Sequence, residues 1–203
     1  MSLIDVSYFV GEPTIPNTDN PAVAERVIYF IQKYEPIFLQ KLLGYPLFKA
    51  FTAGISVASP ATPDQRYLNI LTGIEYTDSS GILQKWKGLV VKTESADAPN
   101  DYNNPTFCQK ESCIADYIYW QMLKDRATST SGFGEVSPVS EDAVSKSSWK
   151  KAAGRWNQMH RSVCELMAYL VYANTGPTPL YPEWTNTNEI EALRSFKFMN
   201  PYF

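Results

Sequence analysis

Residues Ser140–Asn174 read SEDAVSKSSWKKAAGRWNQMHRSVCELMAYLVYAN. Apolar residues recur along this stretch at the period of a helix. Trp149, Trp156, Val163 and Leu170 stand seven apart, with Ala152, Met159 and Leu166 between them. Such a seam suits helix-on-helix packing. Ser140 is a good capping residue, and Glu141 and Asp142 favour the positive end of a helix dipole. Gly176 and Pro177 lie just beyond the last periodic residue. The spacing predicts one helix over 140–174, about 50 Å long at 1.5 Å per residue. A compact domain needs less, so one end is expected to project or to meet a neighbour.

The elements upstream are shorter. Asn20 and Pro21 are a helix start, and Val23, Val27, Phe30, Ile31 and Tyr34 follow at helical spacing. Glu35-Pro36 is a point where this helix can break or kink. Ile37, Leu39, Leu42 and Leu43 continue the pattern to a stop at Gly44. Pro46 opens a short segment through Phe51 that Gly54 ends, and 56–63 is a loop by composition. Residues 64–71 form another short helix closed by Gly73. Ile74–Thr77, the turn residues 78–81 and Ile82–Trp86 predict a small hairpin. Residues 92–104 are polar and predict a loop. Pro105 then opens a helix to about Ala127, with Phe107, Ile114, Ile118 and Met122 on its apolar face. Thr128–Pro138, rich in Ser, Thr and Gly, predicts a mobile loop. The expected fold is mainly α: a bundle of about five or six helices, with a long helix in its C-terminal half and a minor β-hairpin. Residues 1–179 form the helical domain, with the hairpin inserted near 74–86. Residues 180–203 form an aromatic arm, with a short helix near 189–196.

Composition bounds the function. The 203 residues are 44% apolar, 14% aromatic and 19% charged, with net charge -3. That describes one domain able to bury a core without metal or disulfide, and excludes global disorder. The acid excess, with an isoelectric point near 5.3, argues against a general nucleic-acid binder. Met1–Val6 lacks a basic leader segment, and no apolar run approaches the roughly 18–20 residues that span a bilayer. Cys108, Cys113 and Cys164 are few, odd in number and without CxxC spacing, which suits reduced thiols in a cytosolic setting.

Chemistry-bearing residues are sparse. His160, the only histidine, shares a helix face with Cys164, and Glu165 follows. A Cys–His pair can make a nucleophilic thiolate. Trp156, Val163 and Met167 share that broad face, so Cys164 reads as a core thiol. One histidine and scattered cysteines do not supply a zinc site. Asp116, within Ile114–Ile118, reads as an acid in an apolar helix stretch: buried with a raised pKa or, more often for such a residue, on the polar flank or bonded to Tyr or Trp, and without a second converging group it is given no catalytic role. Gly132-Phe133-Gly134 lacks the rest of a phosphate loop or dinucleotide fingerprint and reads as a flexible loop or short strand. Lys146, Lys150, Lys151, Arg155 and Arg161 form a basic stripe interleaved with Trp149 and Trp156, more simply a solvated face than a phosphate-backbone contact.

The order of several motifs carries a resemblance. They are Tyr34-Glu35-Pro36 and Leu42-Leu43-Gly44; Gly73-Ile74-Glu75-Tyr76, then Lys85-Trp86-Lys87-Gly88-Leu89; Ala115-Asp116-Tyr117-Ile118-Tyr119-Trp120; and Gly134-Glu135-Val136 ahead of Trp156-Asn157-Gln158-Met159. Together they resemble a family encoded in phages and prophages of Bacteroides-type bacteria, itself similar to the helical head–tail connector, or adaptor, proteins of tailed phages. The resemblance runs from about Tyr29 to Trp184 and implies a ring of identical subunits in the virion neck, next to portal or tail-completion proteins. It implies assembly in the bacterial cytoplasm and then residence in the virion; the net charge of -3 adds the expectation that DNA is touched only indirectly, and the short apolar runs that no membrane is involved. No catalytic, cofactor or metal-binding residue comes with it. Ser131, Gly132, Phe133 and Gly134 of the loop, Trp149 of the long helix, and Tyr181, Trp184 and Phe203 of the arm are the expected subunit contacts. Two other readings stand beside this one: a small hydrolase or nuclease-like enzyme using Asp116 or Glu165, and a bacterial helical binding module.

Overall fold

Asn20 caps the first helix through its side chain, which accepts a hydrogen bond from the Ala22 amide at 3.0 Å. In the computed structural model, which describes residues 2–10, 13–56, 64–94, 108–127, 129–131, 134–136 and 144–185, helix α1 then runs over Pro21–Leu43. Pro36 does not interrupt it. A proline in a helix interior costs about 3 kcal/mol. Beyond it, Phe38, Leu39, Leu42 and Leu43 are all buried, and each such side chain contributes roughly 1.5–3 kcal/mol on burial. Continuing the helix therefore outweighs breaking it.

Gly44 ends α1, and α2 follows at Tyr45–Ile55 with Pro46 in its first turn. Helix α3 (Gln65–Thr72) is capped by Asp64, whose side chain accepts from the Arg66 amide. Strands β1 (Ile74–Thr77) and β2 (Leu83–Trp86) pair antiparallel, from Ile74 opposite Trp86 to Thr77 opposite Leu83. Asp78 holds the turn by accepting from the amides of Ser80 and Ile82. The Trp86 indole N–H donates to the Ile70 carbonyl at 3.0 Å and pins the hairpin base to α3.

Two stretches depart from the sequence reading. Strand β3 (Val91–Glu94) runs into the expected loop, and it pairs with β4 (Cys108–Glu111) inside the expected helix. Helix α4 starts at Cys113 and ends at Ala127. Its true entry is Ser112, whose hydroxyl donates to the Leu89 carbonyl and accepts from the Ile114 amide. The expected loop ahead of the last helix holds a third hairpin, β5 (Ser129–Ser131) with β6 (Gly134–Val136), the second of these being the short strand kept as an alternative there. Helix α5 spans Val144–Asn174, about 46 Å at 1.5 Å per residue. The expected cap at 140 and the helix near 189–196 lie outside the described residues.

The protein is mainly helical: five α-helices among the described residues, with small antiparallel hairpins and a 3-10 turn at Val6–Phe9. Helix α4 is the central one. Cys113–Trp120 are buried without exception, because α4 packs on α1 from one side and α5 from the other. Phe38 stacks on Tyr117 with ring centres 4.7 Å apart, and Trp120 meets Trp156 at 5.2 Å. Among the described residues, no helix is long and apolar enough to cross a membrane.

Candidate functional site

The α4–α5 seam gathers most of the chemistry-bearing residues. Asp116 is buried, at 4% exposure. Its partner comes from the basic stripe of α5: an Arg155 Nη1 lies 3.6 Å from Asp116 Oδ1 and donates to Gln158 Oε1 at 3.2 Å. Arg155 is thereby drawn out of the solvated face expected for it, with its side chain only 15% exposed. Lys151 and Arg161 of the same stripe stay exposed. A buried carboxylate is tolerated when paired in this way, so Asp116 is first of all a tie between two helices. Beside it, Tyr119, Lys151, Gly154, Arg155 and Gln158, with Pro13 and Thr14 opposite, line a pocket of about 270 Å³.

One helical turn further on, Cys164 Sγ lies 4.0 Å from both ring nitrogens of His160. That is the reach of a weak thiol contact, and both residues are half-buried. Burial holds the Cys113 thiol far above the ordinary thiol range, with Asp116 adding to the effect, so Cys113 is an inert core group. Among the described residues, no cluster of three or more His, Cys, Asp or Glu is placed to hold a metal ion.

The aromatic arm begins as part of the core. Tyr181 is completely buried. Its hydroxyl donates to the Arg66 carbonyl at 2.6 Å and lies 3.0 Å from the Tyr169 hydroxyl. Asn174 clamps its backbone, accepting from the Tyr181 amide at 2.8 Å and donating to its carbonyl at 3.0 Å. Tyr181 is therefore an internal pillar and not the surface contact expected from the sequence: a tyrosine with its hydroxyl satisfied stabilises more when enclosed than when exposed. Arg66 extends this lock to Glu183 at 3.3 Å, and Trp184 packs half-buried against the core.

Of the other expected contacts, Ser131 and Gly134 face each other as strand partners in the third hairpin. Trp149 lies within α5. Gly132, Phe133 and Phe203 lie outside the described residues. The sequence reading does not single out two adjacent exposed apolar residues, Ile82 at 57% and Leu83 at 68%. The only signal was their position immediately after the Asp78–Gly81 turn, where a hairpin leaves side chains uncovered. Tyr29 on α1 is also exposed, at 56%. No family model, curated protein or solved structure matches the chain.

Proposed function

We propose that this protein is a structural subunit of a tailed-phage neck, a head–tail connector that acts by assembly and carries no chemistry of its own. Identical subunits pack side by side through a heterologous interface that closes into a ring. The observation that best supports this reading is the hairpin tip. Ile82 and Leu83 are large, apolar and mostly exposed, on a turn fixed by hydrogen bonds to Asp78. Rigid, solvent-facing apolar side chains favour a protein partner. The motif order quoted above adds the phage context.

Cryo-electron microscopy of purified virions tests the reading. The expected result is a ring of this chain in the neck, with the hairpin tip against a neighbouring subunit. Its absence from particles made by a host carrying the gene overturns the proposal. Nuclease or esterase turnover by the purified protein that Cys164→Ala abolishes overturns the non-catalytic part.

A further inference from the structure

Gly154 stands in the interior of α5, where glycine is less favourable than alanine. Packing does not require it: a Cβ built there meets nothing within 4 Å. What lies open beside it is the 270 Å³ pocket that Gly154 helps to line. Lys151, Arg155 and Gln158 fall at i, i+4 and i+7 on α5, with Gly154 at i+3, so all four share one face. The glycine removes the side chain that would otherwise stand between two cations.

We propose that this pocket binds a small phosphate ester, with the phosphate group seated over Gly154 between Lys151 and Arg155. Three features of the site favour that ligand. Arg155 is held in place by buried Asp116 at 3.6 Å, so its planar guanidinium is oriented before an anion arrives, and such a fork matches phosphate oxygens. Asp116 pairs with Arg155, and Lys151 adds a second, exposed cation to the pocket lining. Its volume suits a phosphate and a small organic group, being just under the usual range for drug-sized ligands, about 300–1,000 Å³. Tyr119, nearly buried, gives that organic group an aromatic wall. A nucleic-acid backbone offers the same phosphate chemistry, but the chain's net charge of -3 supplies no broad field to hold a polyanion. The inference stands apart from the assembly reading and does not depend on it.

Isothermal titration of the full chain with inorganic phosphate, a nucleoside monophosphate and a short DNA duplex tests the proposal. The monophosphate is expected to bind, with inorganic phosphate weaker and the duplex weaker still. Lys151→Gln should weaken binding about tenfold, the loss of one charge-assisted contact. Gly154→Ala separates function from stability: it should raise the melting temperature, as alanine does in a helix, and still weaken binding at least about tenfold by filling the seat. No binding at millimolar monophosphate, or wild-type binding by Gly154→Ala, overturns the proposal. Binding of the duplex alone, with the same dependence on Lys151, overturns the assignment to a small ligand.

Discussion

Glu35 sits beside Pro36 in the middle of α1, buried to 4% exposure. It accepts from the Ser2 hydroxyl at 2.7 Å and the Leu3 amide at 2.8 Å, so it ties the N-terminal segment to the first helix. Burial raises its pKa above the ordinary 4.5, and the donors from Leu3 and Ser2 offset this only in part. The folded chain thus holds this proton more tightly than the unfolded one, and stability falls wherever the native state binds the extra proton as pH rises. Glu35's contribution is full below about pH 4.5, declines as pH climbs to its own raised value, and is flat above. Thermal melts across this window should show the wild type losing ground to Glu35→Gln as pH rises; a gap moving the other way would refute the assignment. A second prediction concerns Gly88, at φ +102°, where a Cβ would stand 2.6 Å from the Thr72 carbonyl carbon. Gly73 answers it at φ +93°, with a Cβ 2.5 Å from the Trp86 carbonyl oxygen. Two backbones cross in contact here, where α3 hands over to the hairpin. Strain of this kind costs about 1–3 kcal/mol before any clash, so Gly88→Ala should lose at least about 2 kcal/mol in denaturant unfolding. Unchanged stability would mean the crossing is loose.

At the scale of elements, the seam of α5 carries the fold. Met159, Val163, Leu166 and Leu170 are fully buried, along the side that meets α4 and the first hairpin. Leu170→Ala should cost about 2–5 kcal/mol, the range for a leucine removed from a closed core. A melting curve unchanged by it would place the seam in solvent. This seam was legible because a helix writes its buried face locally, at fixed spacing. The start of α1 was legible for the same reason, since Asn20 caps the turn that follows it, whereas Asp64, read as the first residue of α3, is its cap. The start of α4 was not. Pro105 carries the local signature of a helix start, whereas β4 exists because its backbone pairs with β3 across a long connection. Nothing in Cys108–Glu111 itself records that partner, and the Ser112 cap stood unread behind the proline. The candidate site divides in the same way. Asp116 was readable as an acid in an apolar stretch, but its tie to Arg155 requires α4 and α5 to be packed first. Tyr181 read as one more aromatic of the arm. Its burial follows from the reversal after α5, where Asn174 clamps its backbone.

At the scale of the molecule, the connector proposal raises the question of how a chain with a closed core would assemble with itself. Most of the described large apolar side chains are used internally, and the arm expected to reach outward spends Tyr181 on the core. Among the described residues, the hairpin tip leaves two adjacent large apolar side chains outside, Ile82 and Leu83. In the proposed ring, contacts built on one such tip would be weak singly and become strong on closure, because the last subunit would bind at both sides and its second contact would be intramolecular. In the same proposal, weak pairwise association would also keep rings from closing before their neighbours are in place. The purified chain should therefore sediment as monomer with concentration-dependent association, and that association should rest on the tip. Ile82→Lys combined with Leu83→Thr should abolish it. The melting temperature should hardly move, since exposed substitutions away from caps and strained positions change stability by about 0.5 kcal/mol or less. Sedimentation velocity and thermal melts on the same samples separate these effects. Association lost with the fold intact identifies the tip as an assembly contact, whereas association equal to the wild type places the interface elsewhere and sinks the role given to the hairpin.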